Sequence, residues 1–331
     1  MRYFLRRTLF LLGTLWVAIT LNFLIPRLMP GNPASVMIAK FMGRGQQINP
    51  QSLHAIEVML GISHASLLSQ YWQYLGQVVH FNFGLSYTQF PYSVTYVIAQ
   101  ALPWTLGLVG LSTVLSFIIG TSLGILAAWR RNKMTDSVVT SISAFTNAFP
   151  YFWFALAAVY FLSYLHNWFP LTGAYEIGST PTFSGAFILD VIRHGILPAL
   201  TIVISSMGGW LLGMRNNMIN TLGEDYVLLA SAKGLKSHWI ASMYVARNAI
   251  LPNITGFAMA LGFVVAGSLL TEVVFAYPGI GYAMYNAVIN EDFPLMQGIF
   301  LIIVLCVIVA NFVADLLYVL IDPRVRRGGE S

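Results

Sequence analysis

Six stretches of about 20 mainly apolar residues constrain this chain more than any other feature of its sequence. A helix needs ~20 apolar residues to cross a hydrocarbon core of ~30 Å, so each stretch is long enough to span a membrane. Charged residues form only 9 % of the chain, against roughly 25 % in soluble domains, so a charged outer shell is missing. The sequence therefore predicts an all-α membrane protein with six transmembrane helices. The predicted spans are 8–29, 101–128, 138–165, 196–214, 252–275 and 295–321.

Lysines and arginines are concentrated on one side of the predicted membrane. Residues 1–7, 129–137, 215–251 and 322–331 carry thirteen of them, and the other side, with Arg27 at its membrane edge, carries four. Positive residues accumulate on the cytoplasmic side, so we expect a multi-pass protein of the cell (inner or cytoplasmic) membrane with both termini in the cytoplasm. Topology therefore explains the net charge of +5 without a nucleic-acid partner. The first span lacks a following small-x-small cleavage motif, which favours an uncleaved anchor over a signal peptide.

The predicted spans divide the chain into four parts. These are a cytoplasmic start with the first helix at 1–29, an external segment at 30–100, a core membrane domain at 101–321 and a cytoplasmic tail at 322–331. Within the external segment we predict helical stretches near 51–61 and 65–81, and the second is rich in interfacial aromatic residues such as Tyr71 and Trp72. This segment could pack on the bundle as an interfacial cap, or it could shape the external mouth or receive a delivery protein.

Two predicted helices carry small residues at every fourth position, which lets helix backbones approach closely. These rows fit either packing within the chain or an interface with a partner subunit. They are Ser116, Gly120 and Gly124 in the second helix, and Ala258, Gly262 and Ala266 in the fifth.

The spans contain few ionisable residues, chiefly Glu272 near the outer end of the fifth and Asp315 near the inner end of the sixth. A secondary transporter driven by protons or sodium would need a titratable or coordinating centre, so the sequence disfavours that class. The chain also lacks an HExxH pair, a CxxC motif, a GxSxG elbow and a phosphate-binding GxxxxGK[ST] loop. We therefore expect no enzyme activity, metal or cofactor, and energy for active transport would have to come from another subunit.

The predicted cytoplasmic loop 215–251 has the pattern of two short helices. Asn220 or Thr221 could cap the first, with Glu224 and Asp225 complementing its free N–H groups. Gly234 would let the chain leave right-handed helical geometry, and a second helix would run from Lys236 to Ile250. This compact element could be a solvated connector or a knob that docks in a partner's groove.

Ordered motifs over nearly the whole chain resemble one family, the permeases of binding-protein-dependent ABC importers, most closely the dipeptide/oligopeptide/nickel branch. The long external segment is similar to that of the B-type subunit of the permease pair. The ATPase-coupling loop motif comprises Glu224, Asp225, Tyr226, Ala230, Ala232, Lys233, Gly234, Leu235, Arg247 and Asn248. The external motif comprises Glu272, Phe275, Pro278, Gly279, Gly281, Asp292 and Pro294. Further matches are Pro30–Pro33, Leu60–Ile62, Phe83–Ser86, Leu102–Leu106 and Asp322–Arg326.

The sequence departs from the branch at a few positions. Asn32 and Asn82 stand where the branch usually has Asp, which leaves the details of external docking open. The Glu-Ala-Ala of the wider superfamily falls on Leu228, Leu229 and Ala230, so its acid is absent.

The resemblance implies a type I ABC importer permease fold and a set of partners. These are a second, homologous permease, two ATP-binding subunits and an extracytoplasmic substrate-binding protein, in addition to membrane lipid. ATP-driven closure of the ATPases would pull on the loop and open the permease pair outward, and hydrolysis would reset it. We expect peptides as the cargo, with oligosaccharides as the alternative within the same importer type.

Overall fold

A computed structural model describes residues 2–28, 66–182 and 184–321, without the side chains of 2–8, 26, 27 and 314–321. In these ranges the chain forms helices joined by turns and by two longer irregular segments at 80–93 and 166–182, and no strand longer than one isolated bridge occurs. The helices are α1 (Arg2–Leu28), α2 (Leu67–Val79), α3 (Val94–Trp129), α4 (Met134–Ala148), α5 (Tyr151–Leu165), α6 (Gly185–Leu222), α7 (Asp225–Ala232), α8 (237–249), α9 (Leu251–Val274), α10 (Ile280–Ile289) and α11 (Phe293–Ile321).

Helices occupy the described part of every predicted span. Four of them, α3, α6, α9 and α11, are long and apolar enough to cross a membrane, and the pair α4 and α5 makes a fifth if it is counted as one span. That pair is bent by 91°, so a sharp bend interrupts the predicted third span. The bend lies at Phe149–Pro150, since a residue before proline avoids the helical region. In α1 the described apolar part is Leu9–Ile25, and the first crossing stays a prediction.

Some sequence predictions fall outside the described residues. They are the motifs at Pro30–Pro33 and Leu60–Ile62, the departure at Asn32, the helix near 51–61, and the tail 322–331 with its Asp322–Arg326 motif.

The chain divides into two compact units, and the first comprises residues 1–104 and 278–308. Here α2 packs on α1 through Phe23, whose ring centroid lies 5.1 Å from that of Tyr71, while the Thr20 and Tyr71 hydroxyls lie 2.8 Å apart. Asn22 and Gln297 tie α1 to α11, because each side-chain amide donates to the other's backbone carbonyl (2.9 and 3.0 Å). The predicted helix at 65–81 is thus present as a cap that packs on its own unit.

The second unit comprises residues 105–277 and 309–331, and its centre is the contact of α3 with α6. A Cβ atom added at Gly120 would lie 2.4 Å from the carbonyl oxygen of Met207, and one at Gly124 would lie 2.6 Å from that of Leu211. Only glycine permits this approach, so the first row of small residues serves packing within the chain. In the first turn of α4, Asp136 forms a two-point ion pair with Arg215 of α6.

Candidate functional site

The residues of the predicted coupling loop fold into two short helices separated by a tight bend. The N–H of Leu235 donates to the carbonyl of Ala230 (3.4 Å) and the N–H of Gly234 to that of Ser231 (3.0 Å). This pair of bonds is the Schellman ending of a helix, which requires a left-handed residue, and Gly234 supplies it with φ +74°. The predicted role of Gly234 in the backbone is confirmed. We call residues 224–249 the coupling segment.

A small hydrophobic core fixes the coupling segment to the end of α6. Val227 and Ala230 of α7, together with Val245 and Ala249 of α8, are buried in a cluster that also contains Met214 of α6. At the surface, the Asn248 side-chain amide donates to the Tyr226 hydroxyl (2.9 Å) and joins the two helices. The segment is therefore a packed unit and not a loose connector.

The start of the coupling segment differs from the sequence prediction. Helix α6 continues to Leu222, so Asn220 and Thr221 lie in its last turn and do not cap α7. Glu224 holds the N-cap position without a capping hydrogen bond from its side chain, and Asp225 lies in the first turn. The span predicted at 196–214 lies within α6, which begins at Gly185 and carries charged residues near both ends.

The coupling segment exposes large apolar side chains beside its charged ones. Leu228 is 60 % exposed and Leu229 is 56 % exposed, and Trp239 and Met243 of α8 are also exposed. Ala230 is buried, so among the predicted coupling residues it supports the fold and does not form the surface. The remaining predicted residues of this motif are exposed: Glu224, Asp225, Tyr226, Ala232, Lys233, Gly234, Leu235, Arg247 and Asn248.

The first half of the predicted external motif lies in the second unit, at the end of α9. Glu272 is fully buried, and its carboxylate accepts a hydrogen bond from the Thr105 hydroxyl (3.0 Å). The chain then turns back, with the N–H of Tyr277 donating to the Glu272 carbonyl (2.8 Å) and Ala276 at φ +46°. The carbonyl of Phe275 accepts from the N–H of Gly173 (2.8 Å). Burial raises the pKa of Tyr277 to about 12, and the Glu272 carboxylate acts in the same direction, so this phenol keeps its proton.

The second half lies in the first unit, where Pro278 and Gly279 lead into α10 and Gly281 is buried in its first turn. Asp292 caps α11, accepting from the N–H of Leu295 (3.2 Å), and Pro294 follows at the second helical position. The Asp292 carboxylate is fully buried.

Asp292 also holds a loop that is distant in sequence. Its Oδ2 accepts from the hydroxyl of Ser86 (2.6 Å) and from both the N–H (2.8 Å) and the hydroxyl of Thr88 (2.7 Å). Burial raises the pKa of the neighbouring Tyr87, with the Asp292 charge adding to the effect. The sequence motif at Phe83–Ser86 includes Ser86, but no local pattern predicts the contact of Thr88 with Asp292, which is 204 residues away.

Three irregular points in the helices of the second unit, together with part of α6, line one cavity of about 490 Å³. The bend between α4 and α5, the interruption of α9 at Val264–Gly267, and the end of the π-helical turn Leu106–Gly110 in α3 all contribute to it. Broken helices are tolerated at membrane depth where they are buried in protein or line a cavity, since their free backbone groups then find partners. The polar lining residues are uncharged: Thr113, Asn147, Tyr151, Ser205, Ser206 and Ser268. We call this space the pathway cavity.

Comparison with known families decides what this architecture is. The model of the family described as "Binding-protein-dependent transport system inner membrane component" matches residues 120–327, and its N-terminal companion model matches residues 1–109. The chain belongs to this family of transport permeases. The permease is accordingly a multi-pass membrane transport protein with an all-α fold, which confirms the resemblance and fold class inferred from sequence. Among the described residues of the permease, no group of three potential metal ligands occurs.

Named relatives of the permease match it over nearly its whole length. The oligopeptide transport system permease protein AppB of Bacillus subtilis is 33 % identical over 323 residues, covering 98 % of each chain. The di/tripeptide transport system permease protein DppB of Pseudomonas aeruginosa is 32 % identical over 336 residues, covering 97 % of each chain.

Proposed function

We propose that this permease is one of two homologous membrane subunits of an ABC importer for di- and oligopeptides. This subunit would form half of the transport pathway. Two separate ATP-binding subunits would drive transport, and an extracytoplasmic binding protein would deliver the cargo. The relatives named above support the cargo class, since both are called permeases of peptide transport systems. Oligosaccharide remains the alternative cargo, and the named relatives give it no support.

The observation that carries the coupling role is the pair of exposed leucines on the coupling segment, Leu228 and Leu229. Leu228 and Leu229 project from a helix whose opposite side, Val227 and Ala230, is buried in a core. Full burial of one leucine side chain contributes roughly 1.5–3 kcal/mol, so a partner that covers the exposed part of both leucines gains free energy. A groove on an ATP-binding subunit is the partner that the family membership supports, with the segment on the cytoplasmic side.

Movement of the coupling segment can be transmitted along one nearly continuous helical path. The N–H of Ile250 donates to Ala246 (3.0 Å) and the N–H of Ile254 to Ile250 (2.9 Å), so α8 passes into α9 without a flexible linker. Helix α9 then reaches its interruption at Val264–Gly267, which lines the pathway cavity. A pull on α7 and α8 during ATP-driven closure would therefore change the shape of that cavity.

The lining of the pathway cavity suits a cargo that varies in side chains but shares polar backbone groups. Hydroxyl and amide groups such as those of Thr113, Asn147 and Ser205 can donate to and accept from peptide amides. Because the described residues of the lining include no carboxylate, lysine or arginine, it would not select one charge type. Selection among peptides would then reside mainly in the binding protein.

Uptake by the reconstituted four-subunit complex tests this function. In proteoliposomes with the binding protein, we expect ATP-dependent entry of labelled di- and oligopeptides that unlabelled peptides, but not cello-oligosaccharides, suppress. Replacing both exposed leucines (Leu228→Glu with Leu229→Glu) should reduce uptake by at least tenfold, because two charges would enter the docking face. Ile177→Glu is the matched control, since Ile177 is 97 % exposed in a loop outside the coupling segment.

The two parts of the proposal can fail separately. Unchanged ATP-driven uptake in the double leucine variant would contradict the coupling role of the segment. Suppression by cello-oligosaccharides, without competition by peptides, would contradict the cargo class and leave the coupling role standing.

A further inference from the structure

A second cavity, of about 410 Å³, lies beside the turn that joins α3 to α4 in the second unit. We call it the turn cavity. It has a polar lining that includes Asn132, Lys133, Ser137, Thr140, Asp136 and Arg215. It shares no lining residue with the pathway cavity or with the coupling segment, so neither of these accounts for it.

The turn cavity has an excess of positive charge. Asp136 binds Arg215 at two points, Oδ1 to Nε (2.6 Å) and Oδ2 to Nη2 (3.0 Å), which fixes the guanidinium in place. A guanidinium has five N–H donors, so three of those on Arg215 have no acceptor among the described residues. Lys133 lines the cavity, is exposed, and forms no ion pair within the described part of the chain.

Two more arginines of the turn, Arg130 and Arg131, are also exposed. With four cations against the single carboxylate of Asp136, the local net charge is +3. The lining itself contributes Lys133 and Arg215 against Asp136, a net charge of +1, and Arg130 and Arg131 lie in the adjoining turn. A cationic lining with hydroxyl groups attracts a phosphate-bearing ligand.

An apolar stripe begins at the mouth of the turn cavity and continues along α4. Met134, which lines the cavity, is 83 % exposed, and Val138, Ile142 and Phe145 follow on the same helix face with exposures of 45 %, 53 % and 59 %. Their spacing of three or four residues places them in one row. Since α4 is half of the bent candidate span, this row faces hydrocarbon if the pair crosses the membrane.

We propose that the turn cavity binds the headgroup of an anionic phospholipid whose acyl chain lies along this stripe. Lys133 and the free N–H groups of Arg215 bind the phosphate, and Ser137 offers a hydroxyl to the polar headgroup. The Thr140 hydroxyl donates to Asp136 (3.2 Å) and can only accept from the headgroup. Basic pockets between membrane helices are suited to anionic headgroups. The adjoining apolar row favours a lipid over a soluble phosphate compound, which would leave the stripe unused. A lipid held here would brace the α4–α6 contact from which Arg215 extends.

Native mass spectrometry of the purified complex tests the lipid site directly. We expect phosphatidylglycerol to bind in preference to phosphatidylcholine of the same chain length. Lys133→Gln should weaken phosphatidylglycerol binding by about fivefold, the effect of one cation near a membrane surface. Lys133→Arg should restore it. Arg193→Gln removes an exposed cation elsewhere and should leave binding unchanged.

Two further measurements distinguish a bound lipid from a bound soluble phosphate compound. Glycerol 3-phosphate at the concentration of the lipid should not displace it, and dihexanoyl phosphatidylglycerol, with the same headgroup but short chains, should bind more weakly. Displacement by glycerol 3-phosphate would overturn the lipid assignment. Equal weakening by Lys133→Gln and Arg193→Gln would show diffuse charge attraction, and equal binding of phosphatidylcholine would show no preference for an anionic headgroup. Either result would overturn the site.

Discussion

Two tight bends of this permease use the same hydrogen bonds but depend on different residues. At 230–235 in the coupling segment and at 287–292 before α11, the N–H after the bend donates to the carbonyl five residues earlier, at 3.4 and 2.8 Å. Both bends contain a left-handed residue, Gly234 with φ +74° in the first and Glu291 with φ +53° in the second. Glycine adopts this conformation freely, whereas a residue with a Cβ is disfavoured by roughly 1–2 kcal/mol.

The surroundings explain why the two bends can differ. The bend at Glu291 is followed at once by Asp292, whose buried carboxylate accepts four hydrogen bonds and holds the loop at Ser86 and Thr88. Around Gly234 the space is open, since an added Cβ would meet no atom within 4 Å. Buried contacts stabilise the bend at Glu291 and offset its backbone strain. The bend at Gly234 has no such contacts and forms because glycine adopts a positive φ without strain.

The largest effect should come from removing the contacts that hold the strained bend. Asp292→Ala leaves the donors of Ser86 and Thr88 without their acceptor, so we expect a loss of about 3 kcal/mol or more in stability. The measurement is the thermal unfolding midpoint of the purified complex. Asp292→Asn, which keeps the shape and one carbonyl acceptor, should lose less. An unchanged midpoint in Asp292→Ala would show that the bend does not need this carboxylate.

A smaller structural effect, with a large functional one, is expected at Gly234. Gly234→Val places a β-branched residue at positive φ, which disfavours the bend by about 1–2 kcal/mol and should displace the exposed leucines. Transported peptide per ATP hydrolysed should fall, while assembly is retained or weakened. Gly223→Val is the matched control, because Gly223 has φ −83° and ordinary space around a Cβ. Gly234→Asn should retain most coupling, since Asn tolerates the left-handed region. Unchanged ATP-driven uptake in Gly234→Val would refute the dependence on glycine.

The smallest effect is a gain in stability at the strained bend. Glu291→Gly removes the penalty of a left-handed side chain, and we expect stabilisation of up to about 1 kcal/mol, partly offset by the greater freedom of glycine when unfolded. The same unfolding measurement detects it, and Glu291→Ala, which keeps the Cβ, should show no such gain. A clear loss in Glu291→Gly would mean that the Glu291 side chain has a role of its own.

Local sequence patterns predicted much of this fold. The apolar stretches placed the helices, the small residues at Gly120 and Gly124 predicted a close approach, and Gly234 predicted the bend. The sequence also contains a signal for the break of the third span, because Pro150 disfavours helical geometry at Phe149. The apolar composition continues through both residues and favoured a single span. The sequence pattern did not predict the extension of α6 to Leu222. Arg215 interrupts the apolar pattern, and its partner Asp136 lies 79 residues away.

The sequence by itself determined the class of the protein, since a chain so poor in charge and so rich in apolar stretches can bury its surface only in lipid and in helix contacts. It also determined the local bends and the motifs that mark the family. Only the tertiary structure decided which polar groups meet: Asp292 with Thr88, Glu272 with Thr105, and Asp136 with Arg215. The physical reason is that a buried charge must find its partner wherever the packing of helices provides one, and sequence separation does not encode that distance.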